Sequence, residues 1–204
     1  MGVRLPGINL FRFTAIKLSD MAQMTPNDVA DGTDEIALAG ARRGERGAFE
    51  RLYKAHVGRI YGLCLRMTGN RALAEDCTQE TFINAWKALK SFESRAAFGT
   101  WLHRIAVNAV LGRGRRGELD LIPDATESAT ASLVPNDELA IEDLEKMLGR
   151  LPGGARSVVV LYGVYGYTHE ETADMLGIAV GTCKAQLHRA RHLLKGQMQV
   201  EGWA

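Results

Sequence analysis

The chain has 204 residues, a formal net charge of +1, 46% hydrophobic residues and three cysteines. That length allows one compact domain or two small ones, with enough apolar material for real cores. The near-zero charge means that any nucleic-acid contact must rest on local charge, and no apolar run approaches the ~18 residues that a membrane-spanning helix needs.

The first residues, MGVRLPGINLFRFTAIKL, are mildly apolar but broken by Pro6, Arg12 and Lys17, with no signal-peptide core or cleavage site. Residues 1–36 read as a disordered tail, Met21 or Met24 would serve equally well as a start, and a cytoplasmic protein is expected. Cys64, Cys77 and Cys183 are odd in number, lack CxxC spacing and fall in helical patterns. They read as small hydrophobes in a reducing compartment, with a Cys64–Cys77 disulfide as the less favoured alternative.

From residue 37 the pattern is helical. Phe49, Leu52, Tyr53, His56, Ile60, Leu63, Cys64 and Met67 recur at steps of three and four, and Thr68-Gly69-Asn70 stops the helix. A second helix from about Ala72 to Lys90 has Phe82, Ala85, Trp86 and Leu89 on its apolar face. Away from that face lie Asp76, Gln79, Glu80, Ile83 and Asn84, a polar surface that suits a protein partner or simply solvent. A third helix buries Phe98, Trp101, Leu102, Ile105 and Ala109. Thr100, Arg104 and Asn108 form a polar line one turn apart opposite Trp101 and lead into Arg113, Arg115 and Arg116. From Arg95 to Arg116 there are five arginines and no acid, beside a loop holding Phe92. Arginine next to aromatic rings suits single-stranded bases, although a core aromatic cluster with a solvated basic helix end fits the composition equally well.

The segment from Glu118 to Glu145 holds nine acidic residues and no Lys or Arg, and LDLIPDATESATASLVP is a linker composition. Periodicity returns near Glu138, and Leu151-Pro152-Gly153 marks a turn before a helix from Ala155 to about Tyr162. No strand pattern of useful length occurs. The expected fold is all-α, with helical domains at 37–115 and 138–199 joined by a flexible acidic linker at 116–137.

Thr168-His-Glu-Glu171 has capping-box spacing, Gly177 stands where a left-handed residue ends a helix, and Ile178 plugs the corner. The helix beginning near Val180 turns Cys183, Leu187, Ala190 and Leu194 inward and Lys184, His188, Arg191 and Lys195 outward. Ala185, Arg189 and His192 widen an outer face with four formal positive charges and no acid. Thr168 to Lys195 therefore reads as a helix-turn-helix whose second helix lies against duplex DNA. His188 and His192 have no evident third metal ligand, and His169-Glu170 fails as a zinc-protease HExxH because position 173 is Ala. No metal or cofactor is expected. No nucleophile, base and orienter stand at recognisable spacing around Cys64, Cys77, His56 or His103, so an enzyme is not expected.

Three segments together carry a resemblance: AFERLYKAHVGRIYGLCLRMTGNRALAEDCTQETFINAWKAL, SFESRAAFGTWLHRIAVNAV and LYGVYGYTHEETADMLGIAVGTCKAQLHRARHLL. The chain resembles the bacterial sigma-70 family, in its small extracytoplasmic-function (ECF) group with only region 2 and region 4. The resemblance implies a subunit that joins core RNA polymerase, recognises −10 and −35 promoter elements and promotes melting. It implies that Asp76, Gln79, Glu80 and Phe82 bind the β′ clamp helices, with the β flap as a further polymerase contact. It implies that Phe92, Ser94, Arg95, Trp101, Arg104 and Asn108 bind and melt the −10 element, capturing a flipped base near Phe92, Ser94 and Asn108. Lys184, Ala185, Gln186, His188, Arg189 and Arg191 would bind the −35 element. The acidic linker would thread the RNA exit path, and an anti-sigma protein would hold the free factor inactive, with no membrane contact of its own.

The chain departs from the family's common residues at Gly99, Cys183, Ala185 and Gln186, and the glycines of LGRGRRG favour fraying of the third helix. These departures bear on promoter sequence and melting strength. The alternative is a helix-turn-helix DNA-binding regulator that is not a polymerase subunit; the AEDCTQETF and FGTWLHRIAVN segments argue against it.

Overall fold

The computed structural model describes residues 32–93, 96–117, 119 and 145–200. Helix α1 spans Gly32–Arg42, α2 Arg46–Thr68, α3 Arg71–Ala88 and α4 Phe98–Arg115. A 3-10 turn, Leu89–Ser91, follows α3. Residues 145–149 are helical. Helix α5 spans Gly153–Val158 and runs on as a π turn over Val159–Val164; α6 spans His169–Leu176 and α7 Val180–Val200. No strand occurs among the described residues, in agreement with the all-α reading. Nearly all of the expected linker at 116–137 lies outside them.

Helix α2 is the axis of the first unit, with α1, α3 and α4 packed on it. The stripe read from the sequence is buried: Leu52, Leu63, Cys64 and Met67 have no exposed surface. Gly69 ends α2 in the left-handed region, its N–H returning to Leu65 O at 2.8 Å. Asn70 then caps α3 by accepting from the Leu73 N–H at 3.1 Å. Helix α1 was not read from the sequence; its first residues fall in the expected tail, and Ala37, Leu38 and Ala41 bury its inner face. Its Asp34 accepts a 2.8 Å hydrogen bond from His56, which lies inside the unit.

In the second unit α7 packs across α5 and α6. The π turn closes with Tyr165 N–H on Val160 O at 3.0 Å and Tyr167 N–H on Leu161 O at 3.1 Å. Gly166 reverses the chain between them at φ 72°, a conformation costly for residues with a Cβ. Both tyrosine rings are thereby buried toward the first unit.

The two units pack together, α5 against α2 and α6 against α4. Polar pairs fill the seam. Arg156 donates to the carbonyl of Thr68 at 3.0 Å, placing a cation on the carbonyl end of α2. Buried Arg66 reaches the Tyr165 hydroxyl at 3.5 Å and the Glu145 carboxylate at 3.8 Å. His103 Nδ1 lies 2.8 Å from the Tyr167 hydroxyl, and Arg104 lies 2.7 Å from Asp174.

Candidate nucleic-acid interface

The helix-turn-helix is built as its sequence directs. Thr168 Oγ1 accepts the Glu171 N–H at 3.1 Å, and a Glu171 carboxylate oxygen accepts the Thr168 N–H at 2.9 Å. This reciprocal capping box satisfies two otherwise unpaired amide donors at the start of α6. At its end Gly177 adopts φ 66° and ψ 36°, and the Ile178 N–H returns to Ala173 O at 3.0 Å. That geometry sets the angle between α6 and α7. Cys183, Leu187 and Ala190 lock α7 against the core.

The outer face of α7 is exposed at Lys184, Ala185, His188, Arg189, Arg191, His192 and Lys195. Gln186 sits apart from this group. It is half-buried, and its Oε1 has no hydrogen-bond partner among the described residues. Cys183 turns its sulfur toward His169 Nδ1 at 3.7 Å, and His169 stacks on Tyr162 with centroids 4.3 Å apart. The thiol thus belongs to the packing beneath the reading helix.

On α4, Arg104 and Asn108 are exposed and Trp101 is half-buried. Trp101 stacks at a tilt on Phe92 (4.7 Å) and Phe98 (5.6 Å). Phe92 is only 6% exposed, and its ring is walled by Phe98 and Trp101. Its place is behind the surface, supporting Trp101. Ser94 and Arg95 lie outside the described residues. Arg104, rather than standing free, is engaged by Asp174 of the other unit.

On α3, Asp76 and Gln79 are exposed and Glu80 is half-buried. Phe82 lies on the apolar face that the periodicity marks. It is 2% exposed and packs edge-on against Tyr53 at 4.7 Å, which helps to hold α3 in place. Arg113 of α4 lies 3.6 Å from Asp76 and 3.5 Å from Glu80, a cross-helix link that periodicity did not reveal. The acidic face is therefore partly neutralised by the domain's own basic helix end.

The cysteines are all free and buried. Burial raises the pKa of Cys64, moves that of Cys77 up to about 11 and raises that of Cys183, so all three are held as thiols. Burial likewise drives the His103 pKa down to about 4, with repulsion from His56 and Arg59 adding to the effect. Among the described residues no group of three His, Cys, Asp or Glu side chains is placed to hold a metal, and no helix is long and apolar enough to cross a membrane.

Comparison with known proteins agrees with this architecture. Residues 52–118 match the Sigma-70 region 2 family and residues 141–194 match Sigma-70, region 4. The chain is 33% identical to the ECF RNA polymerase sigma factor SigW of Bacillus subtilis (strain 168) over 173 residues, covering 78% of this chain and 92% of that one. Among solved structures it is similar to the sigma factor RpoE of Bartonella quintana, in complex with the anti-sigma factor NepR. There the TM-score is 0.59 at 26% identity, covering 74% of this chain and 97% of that one. It is also similar to CnrH in complex with the cytosolic domain of CnrY, with TM-score 0.55 at 28% identity, covering 82% of this chain and 98% of that one. The chain belongs to the sigma-70 family of RNA polymerase sigma factors, in its ECF group.

Proposed function

We propose that the two units divide promoter recognition between them, the α4 surface taking the −10 element and the α7 surface the −35 element. The observation that carries this reading is a pair of exposed polar faces on two helices of different units. On α4, Arg104 and Asn108 are exposed and Trp101 is half-buried, and Lys184, Ala185, His188, Arg189 and Arg191 stand on the capped helix-turn-helix. The first face combines a cation, an amide and an aromatic edge, which suits unstacked bases. The second presents a helix to the major groove with cations for phosphates.

Asp76, Gln79 and Glu80 on α3 take the β′ clamp helices of core polymerase, and the second unit takes the β flap. The protein supplies no catalytic residue and acts in the cytoplasm beside the polymerase. An anti-sigma protein would bind the free chain, as NepR is in complex with the similar RpoE.

The test is run-off transcription on genomic fragments with core polymerase. Specific transcripts that need both core and this chain support the reading. Failure of the chain to bind β′ overturns it.

A further inference from the structure

One contact to the core of the first unit has no counterpart in the motifs. Arg42, the last residue of α1, donates to the backbone carbonyl of Phe92, and its guanidinium carbon lies 5.5 Å from the centre of the Phe92 ring. Phe92 ends the 3-10 turn after α3 and is the last residue before Glu93 and the loop to α4. Its ring bears on Trp101 and Phe98. A guanidinium over an aromatic face that also holds the same residue's carbonyl fixes both backbone and ring.

The far side of the loop is held from the same helix. Asp34 of α1 accepts from His56 at 2.8 Å, and the His56 ring meets Phe98, the first residue of α4, edge-on at 5.3 Å. His56 also lies directly under Gly99, with its Cε1 3.6 Å from where a Cβ would stand. Helix α1 thus grips the chain on both sides of the α3–α4 loop, directly at Phe92 and through His56 at Phe98. It does so from outside the stretch that matches region 2, which begins at residue 52.

We propose that Arg42 is a positioning residue for promoter opening. It fixes Phe92, and through Phe92 the half-buried edge of Trp101, so that the surface receiving an unstacked −10 base is set before DNA arrives. This inference rests on the assignment of the α4 surface to the −10 element. Capturing a flipped base is costly, and a pre-set surface avoids ordering the Phe92 and Trp101 side chains at that moment.

The test uses holoenzyme reconstituted from core polymerase and the full chain, with permanganate reactivity of −10 thymines as the measure of opening. Arg42→Ala should lower opening about tenfold, the scale of a lost charged hydrogen bond. Binding to core and to a duplex −35 fragment should be unchanged. Arg42→Gln keeps a donor for the Phe92 carbonyl without the charge and should restore most of the opening. If Arg42→Lys restores opening while Arg42→Gln behaves as Arg42→Ala, Arg42 is a phosphate contact and the proposal fails. It fails equally if Arg42→Ala leaves opening intact, or if both variants lose core and −35 binding together. Asn108→Ala separates this from the parent assignment. If Asn108→Ala impairs opening and Arg42→Ala does not, only the positioning role is wrong. If neither does, the −10 assignment itself is wrong.

Discussion

The Arg104 guanidinium lies 2.7 Å from the Asp174 carboxylate, so a cation of the helix assigned to the −10 element is paired with the helix-turn-helix unit. The same side chain cannot hold this carboxylate and a DNA backbone together. The side chains are 50% and 63% exposed, which limits the pair to about 0.2–1 kcal/mol. Asp174→Asn should therefore lower the melting temperature by at most about 2–4 °C and raise affinity for a −10 single strand by at most about fivefold. Fluorescence anisotropy with a labelled oligonucleotide checks this, and unchanged or weaker binding counts against the competition.

Behind that pair, His103 and Tyr167 meet at 2.8 Å in a buried part of the seam. The ring is pushed from its ordinary 6.5 to about 4 by burial first, then by His56 and Arg59; Tyr165 and Tyr167 also face it and stay protonated. Between those values the unfolded chain binds the proton and the folded chain does not. Stability is thus fully present above pH 6.5 and is lost as pH falls toward 4, by up to about 3 kcal/mol from this group. His56, also shifted down by burial, acts in the same direction. Chemical denaturation across this window should show the decline, and His103→Gln should flatten it. A wild-type profile flat from 6.5 to 4 would contradict the buried neutral ring.

The reading helix and its cap should respond differently to mutation. Thr168→Ala removes one half of the capping box and should cost about 1 kcal/mol of stability. Arg189→Ala or Lys184→Ala touches only an exposed face and should leave stability alone while weakening −35 binding by about 1–3 kcal/mol. Thermal melts beside gel-shift titrations separate the two effects. Loss of stability in Arg189→Ala would place that residue in the fold instead of the interface.

For the polymerase face, the structure changes which variant is informative. Charge reversal at Asp76 and Glu80 would set two cations against Arg113, which lies 3.6 and 3.5 Å from them. Asp76→Asn with Glu80→Gln avoids that repulsion. The pair should weaken binding to core polymerase while −35 binding stays intact. Equal loss in both assays would undo the proposed division of labour.

What the sequence made legible was local. The stripe from Phe49 to Met67, the Thr168–Glu171 box and the Gly177 corner each need only neighbours within a turn or two, and each appears as expected. What it hid was non-local. Phe92 adjoins a polar loop, where periodicity could not tell a presented ring from a buried one, whereas Phe82 stands on the face that periodicity marks as apolar. Helix α1 shows only Ala37, Leu38 and Ala41 as an inner face, too little for a periodic signal. The seam pairs, Arg156 on Thr68 and His103 on Tyr167, join residues 88 and 64 positions apart. A polar residue on a helix carries no mark of a partner that distant. The acidic composition between the two helical patterns gave no hint that the units would pack together.

The central claim is that two surfaces on one chain select a promoter for the polymerase. The most direct measurement is transcription by core polymerase plus this chain on a promoter found by genomic run-off, with the −10 and −35 elements scrambled one at a time. The account predicts specific initiation that requires the chain, with Arg189→Ala failing to discriminate the scrambled −35 and Asn108→Ala failing to discriminate the scrambled −10. Specific initiation that ignores both scrambled elements, or none at all despite binding to core, would contradict it.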